Sequence, residues 1–302
     1  MTVAVMQREP AVTSPAVFAA FCGTTHRTEC DTGNIVATRS ESAHGNYLLA
    51  NSGRETRRRF GALSELFDPG TIRHLEKCGV SRGWHCLEVG GGGGSIAAWL
   101  ADRVGPDGQV LTTDIDPRFL EALQHSNIEV RQHNIATDPL PETFDLVHAR
   151  LVLLHIPQRE QALERMISAL KPAGWLVIEE YDSASMPPDP AVSPGEVLLR
   201  THLAMMRLFE DVGINRRYGR LLFACLRAHG LTNVGAEARV LMFGHGSQGA
   251  SMLRANYEQL RDAMVNGNYI TAGQFDEDLA RLDDRDFMMP FGILWSAWGC
   301  RS

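Results

Sequence analysis

The stretch that decides the fold is Trp84-His85-Cys86-Leu87-Glu88-Val89, followed by five glycines at 90–94 and then Ser95. His85 to Val89 has the length and apolar content of a short strand, and from Ser95 onward Ile96, Trp99 and Leu100 share one helical face. A strand, a glycine loop and a helix in that order let a ligand come close to bare backbone, because glycine has no Cβ and tolerates positive φ. A plain tight turn would not need five glycines in a row, each of which costs chain entropy.

The same alternation continues downstream. Gln109 to Thr113 reads as a second strand ending at Asp114, Ile128 to Arg131 as a third and Phe144 to His148 as a fourth. After Pro157, Leu163, Met166, Ile167 and Leu170 fall on one helical face, Lys171-Pro172-Ala173-Gly174 ends that helix, and Trp175 to Glu179 is a fifth strand. Strands separated by helical segments imply right-handed crossovers and a parallel sheet, so the fold class is a doubly wound, Rossmann-like α/β domain. Upstream, Leu63, Leu66 and Phe67 recur at helical spacing, and Ile72 and Leu75 do so again after a break expected at Asp68-Pro69-Gly70. The proline-rich stretch 183–195 reads as a linker. Beyond it come helices over Val197–Val212, Tyr218–His229 and the Leu253–Met264 region, with Gly230 as a C′ residue and Thr271-x-x-Gln274 as a capping box. Val234–Phe243 and Phe291–Trp298 are further strands. Three regions follow: an arm over 1–44, a core over 45–182 with lid helices at its start, and 183–302 with helical cap insertions and the last strands.

Two chemistries compete for the glycine loop. A dinucleotide site wants GxGxxG or GxGxxA, and here Gly90, Gly92 and Ser95 make a near miss that would suit an NAD-dependent oxidoreductase. An acid followed by GxGxG is filled without mismatch by Glu88, Gly90, Gly92 and Gly94. Glu88 separates the two readings, since a carboxylate beside the loop repels pyrophosphate but attracts an ammonium group. Asp114, at the end of the second strand, is placed to accept hydrogen bonds from both hydroxyls of a ribose, and Asp116 takes that place if the strand ends two residues later.

With these residues in view, CLEVGGGGGSIAAWLA, VLTTDID, FDLVHARLVLLHIP and LKPAGWLVIEEYD resemble the successive motifs of class I S-adenosylmethionine-dependent methyltransferases, closest to small-molecule enzymes of actinobacterial type. The resemblance runs from about residue 45 to 302 and is strongest over 84–182. It implies a seven-stranded sheet with the last strand antiparallel, S-adenosylmethionine as methyl donor, and a substrate pocket under variable helices. Carried over, Glu88, Gly90, Gly92 and Gly94 line the methionine part, Asp114 holds the ribose and Ile115 packs on the adenine. His133-Asn134-Ile135 falls where the family has Gly-Asp-Ala, so Asn134 keeps an acceptor for the adenine amino group but loses the charge. Tyr47 lies where such enzymes fold an N-terminal segment over the cofactor.

Methyl transfer is an in-line displacement, and the enzyme aligns the nucleophile, excludes water and, where needed, takes a proton. The candidate groups stand at the carboxyl ends of strands four and five. Glu180 is the expected base or orienting group, with His148 and Tyr181 as alternatives; each is weighed against a solvated acid or a packed core residue. His155 fits positioning of the cofactor loop, and Arg150 fits anchoring of the cofactor carboxylate or a substrate acid. The Met205-Met206 face with Phe209 is core or pocket wall. A non-catalytic S-adenosylmethionine-binding module is the remaining alternative.

Charge and composition narrow the partners. With 29 Lys+Arg against 36 Asp+Glu the net charge is −7, and Arg57-Arg58-Arg59 is too short a basic run for nucleic acid. No apolar stretch approaches membrane-spanning length and the start lacks a cationic leader, so a cytoplasmic setting, as monomer or homodimer, is expected. Six cysteines without a CxxC pair suit reduced thiols, and Cys22-x3-His26-x3-Cys30 lacks a fourth metal ligand. No metal is expected.

Overall fold

The computed structural model describes residues 54–140, 143–185 and 200–302. The chain divides at Gly45, and the unit from Asn46 onward holds all of these. The arm with Cys22, His26 and Cys30, and also Tyr47, lies outside the described residues.

Five strands alternate with helices as their hydrophobic runs dictate: β1 His85–Val89, β2 Gln109–Asp114, β3 Ile128–Gln132, β4 Phe144–Arg150 and β5 Leu170–Asp182. With β6 (Thr232–Arg239) and β9 (Ile293–Cys300) they form a seven-stranded sheet in the order β3-β2-β1-β4-β5-β9-β6. The first five pair in parallel, and β9 runs antiparallel to both β5 and β6, as the family resemblance implied. Between β6 and β9, β7 (Met242–Gly244) pairs with β8 (Met288–Pro290) in a separate two-stranded sheet. The expected strand 234–243 is therefore two strands that serve different sheets.

Side-chain alternation gives the large sheet two different faces. Leu87, Val89, Val147, Ala149, Leu176 and Ile178 are buried together with residues of α3 (Arg159–Ser168) and α5 (Tyr218–Ala228). On the opposite face Cys86, Val110, Leu146 and Val177 pack with α2 (Ser95–Val104) and with Leu75 of α1 (Arg54–Lys77). The break expected at Asp68-Pro69-Gly70 does not occur: α1 runs through Pro69. A mid-helix proline forfeits one backbone hydrogen bond, and here side chains of the same turn hold the segment to the sheet: Asp68 receives a hydrogen bond from Arg150, and Thr71 bonds Glu179. Gly70 leaves the space occupied by the guanidinium of Arg239, which a Cβ would overlap at 1.5 Å.

The remaining helices, α4 (Arg200–Asp211), α6 (Gln248–Asn266) and α7 (Ala272–Arg281), share a second core with α1, built from Ala62, Met205, Met206, Leu253, Tyr257 and Phe275. The capping box at the start of α7 is formed as its sequence signature requires, with Gln274 N–H donating to Thr271 and Thr271 N–H donating to Gln274. Helix α5 lies close on β5 because its second residue is Gly219, where a Cβ would stand 2.4 Å from the Glu180 carbonyl oxygen. Gly219→Val is expected to destabilise the protein by about 1–3 kcal/mol through overpacking. A urea midpoint equal to that of the native chain would show that this approach is not close.

Candidate active site

The loop between β1 and α2 takes its shape from glycine. Gly90, Gly92 and Gly94 have φ of 68°, 53° and 82°, a region that side chains rarely adopt. Between them the backbone is also tightly enclosed. A Cβ on Gly90 would lie 2.4 Å from Val152, one on Gly91 2.2 Å from Thr112, and one on Gly93 2.8 Å from Phe60 of α1. Across the loop, Gly92 N–H donates to Asp114 Oδ2 at 3.1 Å and Asp116 N–H donates to its Oδ1 at 3.0 Å. Burial raises the Asp114 pKa, while these N–H groups work to lower it. Asp116 instead forms a two-point pair with Arg118, so the acid that faces the loop is Asp114. Ile115, next along, leaves 49% of its surface exposed beside that carboxylate.

Three further cofactor candidates make contacts within the chain. The Asn134 side chain accepts from Ala136 N–H at 2.9 Å, closing a local turn, since an Asn oxygen competes well for a backbone donor two residues on. The Ile135 side chain is buried in the same core as Val89 and Leu153. Arg150 donates to Thr71 at 2.9 Å and to Asp68 at 2.8 Å, which ties the end of β4 to α1.

Beneath α1 a polar row crosses the sheet. Glu88 and His148 are register neighbours on β1 and β4, and His148 Nδ1 donates to Glu88 Oε2 at 2.6 Å. On its other side His148 Nε2 lies 3.7 Å from Glu179 Oε2, and Glu179 also accepts hydrogen bonds from Thr71 and Ser296. Burial alone would make His148 less basic, but the two carboxylates raise its pKa to about 9. Burial alone would likewise raise Glu179, yet His148, Arg150 and Ser296 hold it down at about 2. His148 is thus a buried cation clamped between two acids. Glu88 Oε1 has no hydrogen-bond partner among the described residues.

The remaining candidates fall on opposite faces of β5. Glu180 points to the α5 side, where its Oε1 accepts from Val152 N–H at 3.0 Å and Leu153 N–H at 2.6 Å. Burial moves its carboxyl up to about 8 against the lowering effect of those donors. Through Val152, which presses on Gly90, Glu180 holds the glycine loop from below. Tyr181 points to the α1 side, packed edge-on against Phe67 and Phe291. His155 closes the short 3₁₀ turn Leu153–His155, and burial, with Arg59 nearby, lowers its pKa to about 4.

A family model described as "Methyltransferase domain" matches residues 87–178, which begin in β1, take in the glycine loop and end in β5. Residues 87–178 of the chain thus match a methyltransferase domain. It is 34% identical over 146 residues to "Methyltransferase str2" of Strobilurus tenacellus, covering 47% of this chain and 51% of that protein. It is also 34% identical over 128 residues to the ubiquinone/menaquinone biosynthesis C-methyltransferase UbiE of Hahella chejuensis, covering 39% and 50%. The chain spans about half the length of these curated relatives. A Haemonchus contortus phosphoethanolamine N-methyltransferase 2, solved with phosphomonomethylethanolamine and S-adenosylhomocysteine, shares the fold with TM-score 0.51 at 15% identity, over 82% of this chain and 57% of that one. The methyltransferase domain fits its cofactor on its own residues. Bare loop backbone and the unpartnered Glu88 oxygen suit the methionine part, two Asp114 oxygens suit the ribose, and exposed Ile115 suits the adenine.

Sequence reading did not find Phe60, Thr71, Glu179 or Arg239, which surround the loop and the polar row. For Glu179 the signal was present: strand alternation puts it on the same face as Tyr181, and the neighbouring strand presents His148 and Arg150 to that face.

The buried acids and bases fix the pH range of stability. His148 and Glu180 keep their protons longer in the folded state, so they contribute stability that is lost as pH rises, for Glu180 from about 4.5 to about 8 and for His148 from about 6.5 to about 9. His155 and His202, lowered to about 4 by burial, contribute stability that is present above 6.5 and lost toward 4. The urea midpoint is expected to peak at roughly pH 6–7 and fall by pH 9. A midpoint that holds or rises at pH 9 would contradict the clamped His148.

Proposed function

We propose that this chain transfers the methyl group of S-adenosylmethionine to a small, mostly apolar acceptor, in specialised metabolism and in the cytoplasm. The observation that carries the reading is the loop of three positive-φ glycines closed by Asp114, flanked by Glu88 and exposed Ile115. When bound there, S-adenosylmethionine supplies a sulfonium methyl whose C–S bond breaks, the electron pair staying on sulfur, as the acceptor's lone pair forms the new bond. The chain's own residues bind and align. Glu88 attracts the ammonium end, Asp114 the ribose hydroxyls, and α1 covers the loop through Phe60.

Tyr181, on the covered face of β5, is suited to orienting the acceptor. Burial raises its phenol pKa well above 10, so it keeps its proton and donates a hydrogen bond rather than removing one. Glu180 and His148 are both held by hydrogen bonds within the chain, so neither serves as the base for the acceptor's proton in this reading. The second core, rich in Met, Phe and Tyr and shared by α1, α4, α6 and α7, supports an apolar acceptor, as does the name of the relative assigned to ubiquinone/menaquinone biosynthesis. The excess of acidic over basic residues argues against nucleic acid. Free thiols at Cys78, Cys86, Cys225 and Cys300 support a reducing compartment, and no described helix is long and apolar enough to cross a membrane.

Calorimetry with S-adenosylhomocysteine tests the reading; no binding at high micromolar ligand would end it. Asp114→Ala is expected to weaken that binding by about 1.5–3 kcal/mol, the scale of a charge-assisted hydrogen bond, with the fold retained. Unchanged affinity would remove Asp114 from the ribose site. Glu180→Gln keeps an acceptor for Val152 and Leu153 N–H and is expected to leave turnover nearly unchanged. A fall of roughly 10²–10⁴ would make Glu180 the general base instead.

A further inference from the structure

The link between β4 and α3 begins with a strained residue. Leu151 has φ of 57°, a left-handed conformation that crowds a leucine Cβ against the next carbonyl and persists only where other contacts impose it. Two consecutive acids of β5 supply such contacts. Leu151 N–H donates to the Glu179 carbonyl oxygen at 2.8 Å. The next two N–H groups, of Val152 and Leu153, donate to Glu180 Oε1 at 3.0 and 2.6 Å. One side-chain oxygen thus holds two successive backbone groups directly after the strained residue.

The turn held in this way presses on the glycine loop. Val152 Cγ2 fills the space beside Gly90, where a Cβ would come within 2.4 Å of it. Gly90 is the first of the three positive-φ glycines, and the N–H groups that shape the loop follow it. Gly91 donates to the Thr113 carbonyl at 2.9 Å, Gly92 to Asp114 Oδ2 at 3.1 Å and Gly94 to the Gly91 carbonyl at 2.8 Å. Glu180 itself is wholly buried, and its second oxygen has no hydrogen-bond partner among the described residues. Burial moves its carboxyl up to about 8, so at neutral pH it is a protonated group whose Oε1 serves as an acceptor. Arg159 of α3, a cation that acts on it, is bonded to the Leu153 and Gly213 carbonyls at 3.4 and 3.2 Å.

We infer that Glu180 is a positioning residue of the cofactor site: as a hydrogen-bond acceptor it holds the turn at 151–153 in its strained form, and through Val152 it sets the shape of the glycine loop and the affinity for S-adenosylmethionine. This rests on the reading that the loop binds that cofactor. Glu180 acts at one remove, since the contact with the loop is made by Val152. An amide in its place supplies the same acceptor oxygen without a charge. A leucine instead leaves two N–H groups without their acceptor, and Leu151 is then free to relax out of its left-handed conformation. A relaxed Leu151 withdraws Val152 from Gly90, and the loop loses its floor.

Two measurements on the full chain test this: the affinity for S-adenosylhomocysteine by calorimetry, and hydrogen exchange of the amides at 90–94 without ligand. Glu180→Leu is expected to weaken binding about tenfold and to speed exchange in the glycine loop about tenfold. Glu180→Gln, which restores the acceptor, is expected to stay within about twofold of the native chain in both. Val152→Ala removes the contact without touching a hydrogen bond; it is expected to weaken binding about threefold and decides the matter if Glu180→Leu does not fold. In the double variant the further effect of Glu180→Leu is expected to shrink to about twofold or less, because both changes act through one contact. Native affinity and exchange in Glu180→Leu or in Val152→Ala would overturn the inference, as would full additivity in the double variant. A loss in Glu180→Gln equal to that in Glu180→Leu would also overturn it, since the acceptor oxygen would then not be what matters. If the native chain binds no S-adenosylhomocysteine, the methyl-transfer reading falls and loop exchange alone decides the positioning role, faster exchange upholding it and unchanged exchange ending it. Equal binding by the native chain and every variant ends the inference and leaves that reading standing.

Discussion

The rest of the structure depends on one buried ion, the His148 imidazolium held between Glu88 and Glu179. Charges withdrawn from water cost several kcal/mol each unless they are paired and hydrogen-bonded. Here each has a partner supplied by a different element. Glu88 comes from β1 and His148 from β4, while Glu179 on β5 is held by Thr71 of α1, Ser296 of β9 and Arg239 of β6 at 3.6 Å. Arg150 and Asp68 complete the set, so three cations face three anions beneath one helix. Helix α1 is therefore fastened to the sheet by polar contacts as well as by apolar packing, and its fastening and the orientation of Glu88 belong to one network.

The glycine loop is supported from both faces of the sheet. From the α1 side Phe60 lies against Gly92 and Gly93, and from the α5 side Glu180 holds the backbone of Val152, which presses on Gly90. Two adjacent acids on one strand thus have opposite electrostatic lives. Glu179, among cations, is an anion, and Glu180, among backbone and apolar groups, is held neutral up to about pH 8. Strand alternation alone separates them.

Much of this was legible in the residues. The loop, Asp114 and the strand succession follow from local patterns with few competing conformations, which is why Gly90, Gly92 and Gly94 take the positive φ their motif needs. What could not be read depended on partners distant in sequence. Pro69 looked like a break because the contacts of Asp68 and Thr71 come from residues 82 and 108 positions away. His148, Arg150 and Glu180 stand at strand ends, where catalytic groups gather, but local pattern cannot tell a group that faces solvent from one claimed by a neighbouring strand or turn. Asn134 was read for its acceptor oxygen, and its local turn with the Ala136 N–H was not legible beside that reading.

The neutral balance of the buried row carries an evolutionary consequence. Loss of one member leaves its partner as an uncompensated charge in the interior, which is far costlier than replacing both by apolar groups. Among descendants of this sequence, changes at Glu88, His148 and Glu179, and at Asp68 and Arg150, are then expected to be coupled. A substitution on α1 is bound to its counterpart on the sheet, and the helix can be exchanged between relatives only along with the strand residues that answer it.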